Sequence, residues 1–168
     1  MAGTQATLYE IKNGAAWITL NRPENRNALS SVLVTELYDH LLASNANDAV
    51  RSIVITGNGP AFCAGFDLGA MAEGALPSFL ERLGAICRRL RHLEAVVVAE
   101  VHGPALAGGL EITLSCDLVV ASQESRFGIP EVKRSLIAAA PTAAADDLCR
   151  TLIAGAGVRR SCASPVAR

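Results

Sequence analysis

Two glycine-rich stretches and two glutamates carry the residue types from which this chain can build a reactive site. The first stretch runs Gly57-Asn58-Gly59-Pro60-Ala61-Phe62-Cys63-Ala64-Gly65-Phe66-Asp67-Leu68, and the second His102-Gly103-Pro104-Ala105-Leu106-Ala107-Gly108-Gly109-Leu110-Glu111. Small residues let backbone N–H groups come close to a ligand. If the two stretches lie side by side, one N–H from each can grip a single carbonyl oxygen, and helix starts at both loops would add favourable dipoles. Taken singly, either stretch is also what an ordinary turn looks like. Gly57-x-Gly59 does not open a dinucleotide fingerprint, because Phe62 stands where the third glycine of that pattern would have to be.

The glutamates differ in setting. Glu111 interrupts the apolar stretch from Leu110 to Leu114, and a charged acid costs several kcal/mol to bury there, so it is expected to be paired, protonated or functional. Glu131, in Phe127-Gly128-Ile129-Pro130-Glu131-Val132, reads alone as a solvated loop carboxylate. The histidines add little: His40 and His92 fall on polar helix faces, and His102 ends a strand, where a structural hydrogen bond is the expectation.

The elements that must position these residues are legible from periodicity. Leu8 to Lys12 and Ala15 to Leu20 flank Asn13-Gly14, the dipeptide that most favours a tight hairpin. Ser30 or Ser31 can cap a helix with Leu33, Leu37 and Leu41 on one stripe, Val34, Tyr38 and Leu42 beside it, and Glu36, Asp39 and His40 facing away. Arg51 to Thr56 reads as a buried strand that stops at Gly57. A second helix follows with Phe79, Leu83, Ile86 and Leu90 on its stripe, and Ala95 to Val101 returns to strand. His102-Gly103-Pro104 breaks that strand, Gly108-Gly109 precedes a short buried helix from Leu110 to Cys116, and Asp117 to Ala121 is strand again. Strands alternating with helices predict an α/β core with a largely parallel sheet.

Composition bounds the function. The 168 residues are 51% apolar and 18% charged, enough for one substantial core, and the net charge of -1 supplies no global field for a nucleic-acid backbone or an anionic membrane. Cys63, Cys87, Cys116, Cys149 and Cys162 are odd in number and lack metal-ligand spacing, so they read as reduced thiols with no metal site. The first residues carry no secretory or transit pattern, and no apolar run reaches a membrane span, so a cytoplasmic protein is expected.

Taken together, Asn21-Arg22-Pro23 with Asn27-Ala28-Leu29, Ala61 to Leu68, Gly103 to Glu111, Cys116-Asp117, and Phe127 with Pro130-Glu131 resemble the crotonase, or enoyl-CoA hydratase/isomerase, superfamily. The resemblance covers Leu20 to Glu131 and implies an α/β spiral of β-β-α units, shared with ClpP. It implies an acyl-CoA thioester as ligand, with coenzyme A entering as part of the substrate rather than as a cofactor. The thioester oxygen would be held by the N–H groups of Phe66 and Gly108, with Phe66 standing where many members have alanine. Glu111 and Glu131 match the two acids that work around one water, adding it across the 2,3 double bond. Arg26, Ala28, Leu29, Ala64, Gly65, Asp67 and Leu68 match positions along the CoA moiety, and Arg22 and Arg26 can meet phosphates. An isomerase or a carnitine-type hydratase would use the same scaffold, and a trimer or hexamer is the expected assembly.

The pattern breaks after Glu131. Where paired glycines are expected, the chain runs Ala138-Ala139-Ala140-Pro141-Thr142-Ala143-Ala144-Ala145. A core domain over 1–140 and an atypical tail over 141–168 are therefore expected, the latter with one helix from about Ala143 to Ile153 and a remainder whose composition predicts disorder. The C-terminal helical region of the family is expected to be largely missing, through truncation or a shifted reading frame near residue 140. A chain lacking those helices also reads as an inactive acyl-CoA-binding fragment.

Overall fold

The computed structural model describes residues 5–67, 69, 76–129 and 152–154. Strands β1 (Thr7–Lys12) and β2 (Ala15–Leu20) form the expected antiparallel hairpin. Asn13 and Gly14 both adopt positive φ, 54° and 78°, as a two-residue turn matched to strand twist requires. Strands β3 (Ser52–Gly57), β4 (Val96–Val101), β6 (Leu118–Ala121) and β8 (Leu152–Ala154) extend the sheet in parallel, in the order β1-β2-β3-β4-β6-β8. Two three-residue strands, β5 (Pro104–Leu106) and β7 (Arg126–Gly128), pair in parallel as a separate small sheet.

Helix α1 (Ser31–Asn45) connects β2 to β3, and α2 (Leu76–Leu90) precedes β4. Ser30 caps α1, its side chain accepting the N–H of Leu33. The predicted stripes are the ones buried: Leu33, Leu37 and Leu41 on α1, and Phe79, Leu83, Ile86 and Leu90 on α2. They close over Ile18, Leu20, Ile53, Ile55, Val97 and Val119, all fully buried on one sheet face. A 3-10 turn at Pro23–Asn25 carries the chain from β2 towards α1.

Three expectations are corrected. Glu36 and His40 do not simply face away from the fold: the Glu36 carboxylate accepts from the Thr7 N–H and hydroxyl, and His40 stacks on Tyr9 with ring centroids 4.8 Å apart. The hairpin reaches over the outer flank of α1, so helix positions polar by type still find partners. His102-Gly103-Pro104 breaks β4 but leads straight into β5, and the short helix α3 (Gly108–Leu114) starts on its glycines rather than after them. The helix expected to reach Ile153 does not include Leu152 and Ile153, which belong to β8 and pair with β6. The remainder of that helix, the 140/141 boundary and the stretch from Gly155 to Arg168 lie outside the described residues.

Candidate active site

Two loops and one short helix gather at the ends of β3 and β4, and backbone hydrogen bonds hold them as a stack. The Cys63 N–H donates to the Pro104 carbonyl at 3.1 Å and the Leu106 N–H to the Cys63 carbonyl at 2.9 Å, joining the first glycine-rich stretch to β5. On its other side the stretch meets residues 26–29. Ala64 N–H donates to the Arg26 carbonyl, Leu29 N–H to the Gly65 carbonyl at 2.7 Å, and Asp67 N–H to the Leu29 carbonyl. Beyond β5, Ala107 N–H donates to the Gly128 carbonyl at the end of β7. The two glycine-rich stretches therefore do lie side by side.

Gly65 sets where Phe66 points. The N–H groups of Ala64 and Asp67 face the same neighbouring segment although they are an odd number of residues apart. Strand groups alternate sides, so one inversion must fall between them. Gly65, at φ 100°, supplies it, in a conformation side chains resist. Because Leu29 is bonded to the residues on either side of Phe66, the Phe66 N–H turns away from Leu29, to the side on which Cys63 meets β5.

Gly108 is the first residue of α3, where an N–H has no partner inside the helix. Among the described residues neither the Phe66 N–H nor the Gly108 N–H has an acceptor. The two positions are in direct contact: a Cβ added at Gly108 would lie 2.6 Å from the Phe66 ring and 2.7 Å from the Leu29 side chain. At Gly109 it would lie 2.6 Å from the Cys63 carbonyl oxygen, and at Gly65 2.7 Å from the Ala107 methyl. Only glycine permits this approach. Ala107 itself sits at φ 52° and ψ -124°, a strained setting for a residue with a side chain. The Phe66 ring, half-buried, meets Phe79 of α2 edge to face at 5.7 Å, so α2 forms the wall behind it.

Glu111 stands one turn into α3 from Gly108, on the face that three-residue spacing shares, and is 8% exposed. Its N–H donates to the Ala107 carbonyl, and Ser115 donates its hydroxyl to the Glu111 carbonyl. A helix start adjoins the second loop at Gly108, while the residues between the first loop and α2 that would carry the other expected helix start lie largely outside the described residues.

The residues expected along a CoA moiety fall on the 26–29 and 63–67 segments of this stack. Arg26 is exposed at its edge, Ala28 and Ala64 are half-buried, and Leu29 and Gly65 are buried. Asp67 is different: its carboxylate lies 2.8 Å from the Arg22 guanidinium, each side chain being under a fifth exposed. Arg22 also donates to the Ala28 carbonyl at 2.7 Å, so each of its terminal nitrogens has a partner within the fold. Leu68 and Glu131 lie outside the described residues. Glu131 follows Gly128, which pairs with Leu106, by three positions.

Sequence reasoning missed Asn27 as an organiser. It is fully buried at φ 55°, accepts from the Arg22 N–H, and donates to the carbonyls of Asn58 and Ala61 at 2.9 and 2.8 Å. The signal was available in kind, since asparagine is the side chain that best tolerates left-handed backbone. His102 makes the structural hydrogen bond expected of it, its Nε2–H donating to the Gly59 carbonyl oxygen at 2.9 Å. Cys63 is buried in the stack, and burial pushes its thiol up to about 12, so it is an inert neutral group there.

The family model Enoyl-CoA hydratase/isomerase matches residues 10–152, running past Pro141, where the resemblance was expected to end. Among curated proteins, the chain is similar to the 2,3-dehydroadipyl-CoA hydratase of Escherichia coli (strain K12), with 41% identity over 68% of this chain and 46% of the relative. It is 39% identical to the short-chain-enoyl-CoA hydratase of Clostridium acetobutylicum over 74% of this chain and 49% of the relative. The crystal structure of an enoyl-CoA hydratase from Bacillus anthracis superposes with a TM-score of 0.79 at 29% identity, covering 87% of this chain and 58% of that one. The chain spans about half the length of the curated relatives it matches.

Proposed function

The chain belongs to the enoyl-CoA hydratase/isomerase family, and on that premise we propose that it binds a 2,3-unsaturated acyl-CoA thioester and adds water across the double bond. The observation that carries this reading is the contact of Gly108 with Phe66 across the two stacked loops, with Glu111 one helical turn away. In this reading the thioester oxygen sits between the N–H groups of Phe66 and Gly108. Negative charge collects on that oxygen as hydroxide adds to the β carbon, and each donor stabilises it by about 3 kcal/mol in comparable sites. Glu111 takes a proton from the attacking water, and Glu131 delivers one to the α carbon. Proton count is conserved, since the water supplies one proton and one hydroxyl to the product.

Glu111 suits its role through its place, buried on the face of α3 that it shares with Gly108. The CoA moiety follows residues 26–29 and 63–67, with Arg26 exposed on that edge of the stack to meet a phosphate. An isomerase would need the same carbonyl grip and one base, and a carnitine-type hydratase differs in the acyl pocket. Hydration of crotonyl-CoA, followed as loss of the enoyl-thioester absorbance, tests the reading with Glu111→Gln and Glu131→Gln. Either substitution is expected to lower kcat at least about 100-fold with little change in thioester binding. Full activity in both variants would refute the assignment.

A further inference from the structure

Arg22 and Asp67 lie outside the acid pair and the two N–H donors, yet their ion pair is built into the seam that orients one of those donors. The guanidinium bridges two segments at once: one terminal nitrogen contacts the Asp67 carboxylate at 2.8 Å, the other donates to the Ala28 carbonyl at 2.7 Å. Ala28 and Asp67 directly adjoin the bridged residues Leu29 and Phe66. Leu29 in turn holds both neighbours of Phe66, through Gly65 and Asp67. Arg22 is itself fixed from behind, where its N–H donates to the fully buried Asn27.

We propose that the Arg22–Asp67 pair is a positioning device that fixes the direction of the Phe66 N–H, the first of the two thioester-oxygen donors. This rests on the proposed function of that donor. The physical ground is a relay of two peptide planes. The Ala28 carbonyl and the Leu29 N–H belong to one peptide, the Gly65 carbonyl and the Phe66 N–H to another, and the Leu29 N–H holds the Gly65 carbonyl at 2.7 Å, so the direction of the Phe66 N–H follows that of the Ala28–Leu29 peptide. A guanidinium fork held in a partly buried setting by the Asp67 carboxylate on one side of the seam and the Ala28 carbonyl on the other fixes that peptide. In this reading Asp67 acts through its carboxylate's hold on Arg22.

The test reads carbonyl polarisation rather than turnover. An arylacryloyl-CoA thioester, whose absorption moves to longer wavelength when its carbonyl is polarised, is saturated with the parent chain and with Asp67→Asn, Arg22→Lys and the double variant. The parent is expected to give the shift. Asp67→Asn should lose about half of it at full saturation, and Arg22→Lys, whose point charge cannot bridge both partners, should lose a smaller part. The double variant should lose no more than Asp67→Asn alone, because both act through one pair. A purely structural pair would lower the melting temperature while leaving the band of the bound thioester in place, and that result overturns the proposal. If Asp67→Asn fails to fold, Arg22→Lys decides: an unchanged band overturns the proposal and a diminished one supports it. No shift in the parent chain would instead remove the oxygen-donor reading on which the proposal rests. A parent shift retained in every variant would leave that reading standing and remove the positioning pair.

Discussion

The parallel sheet and the loop stack at its end are held together by different forces. In the sheet, Ile18, Ile53, Ile55, Val97 and Val119 are fully buried against the stripes of α1 and α2, and stability comes from apolar area removed from water. In the stack, glycines, carbonyls and Asn27 are buried beside Leu29, Phe62, Cys63 and Ala105, and hydrogen bonds and close backbone approach add to the apolar packing. Apolar packing is graded, so a lost methyl group costs a predictable amount. Backbone approach is all or none. The half of the molecule expected to bind ligand is thus the half least able to absorb substitution.

Gly109→Ala should break this contrast most sharply. The added methyl would meet the Cys63 carbonyl oxygen and Cβ at 2.6 Å each, and neither can retreat without parting the first loop from β5. A destabilisation of about 3 kcal/mol is expected, with loss of thioester binding. In the sheet, Ile55→Val should cost only about 1 kcal/mol and leave binding intact. Urea unfolding of the two variants, beside calorimetric titration with crotonyl-CoA, measures both halves of the comparison. Equal costs would show that the stack is as compliant as the core.

Asn27→Ala comes next. It removes one acceptor and two donor contacts at a fully buried position and leaves the carbonyls of Asn58 and Ala61 without that partner, for about 2 kcal/mol. Asn27→Gly should lose the same bonds but recover part of the backbone strain at φ 55°. The difference between the two in urea separates the hydrogen-bond contribution from the conformational one, and a glycine variant no more stable than the alanine would refute that division.

The same difference in forces explains what could be read from the residues in order. Periodicity reports local geometry, so the hairpin at Asn13-Gly14, the stripes of α1 and α2, and the alternation of strands with helices were all legible. Strands β5 and β7 are three residues long and display no period, and their pairing joins Pro104 to Arg126. Nothing local announces it. Phe66 and Gly108 were identified through a family resemblance, while their contact depends on pairings between residues 26–29, 63–67 and 104–107 that a linear pattern does not encode. The Arg22–Asp67 ion pair was illegible for the same reason, because it joins a turn to a distant loop.

The smallest expected effect lies on the far flank of the sheet, where β1 crosses α1. His40 stacks on Tyr9 with an interplanar angle of 8°, and the Tyr9 hydroxyl is 3.2 Å from Ser44 on the same helix. Burial lowers the His40 pKa from its ordinary value, opposed more weakly by Glu36 and Asp39. A histidine depressed in the folded state is neutral there while its unfolded counterpart takes up a proton, so stability is fully present above about pH 6.5 and declines as pH falls below it. The decline should be modest, because the ring is only partly enclosed and both acids resist it. His40→Phe keeps a flat ring against Tyr9 and removes the proton uptake. Its urea midpoint should therefore change less between pH 7.5 and about pH 5.5 than that of the parent, while the Ile55→Val variant retains the parent's full pH dependence. Parallel curves for His40→Phe and the parent would place the acid sensitivity elsewhere in the fold. Either result speaks to the comparison, because the β1–α1 seam combines ring packing like the core with polar contacts like the stack. Its tolerance should fall between them, as the Glu36 carboxylate bound to Thr7 can hold β1 in place even when His40 is charged.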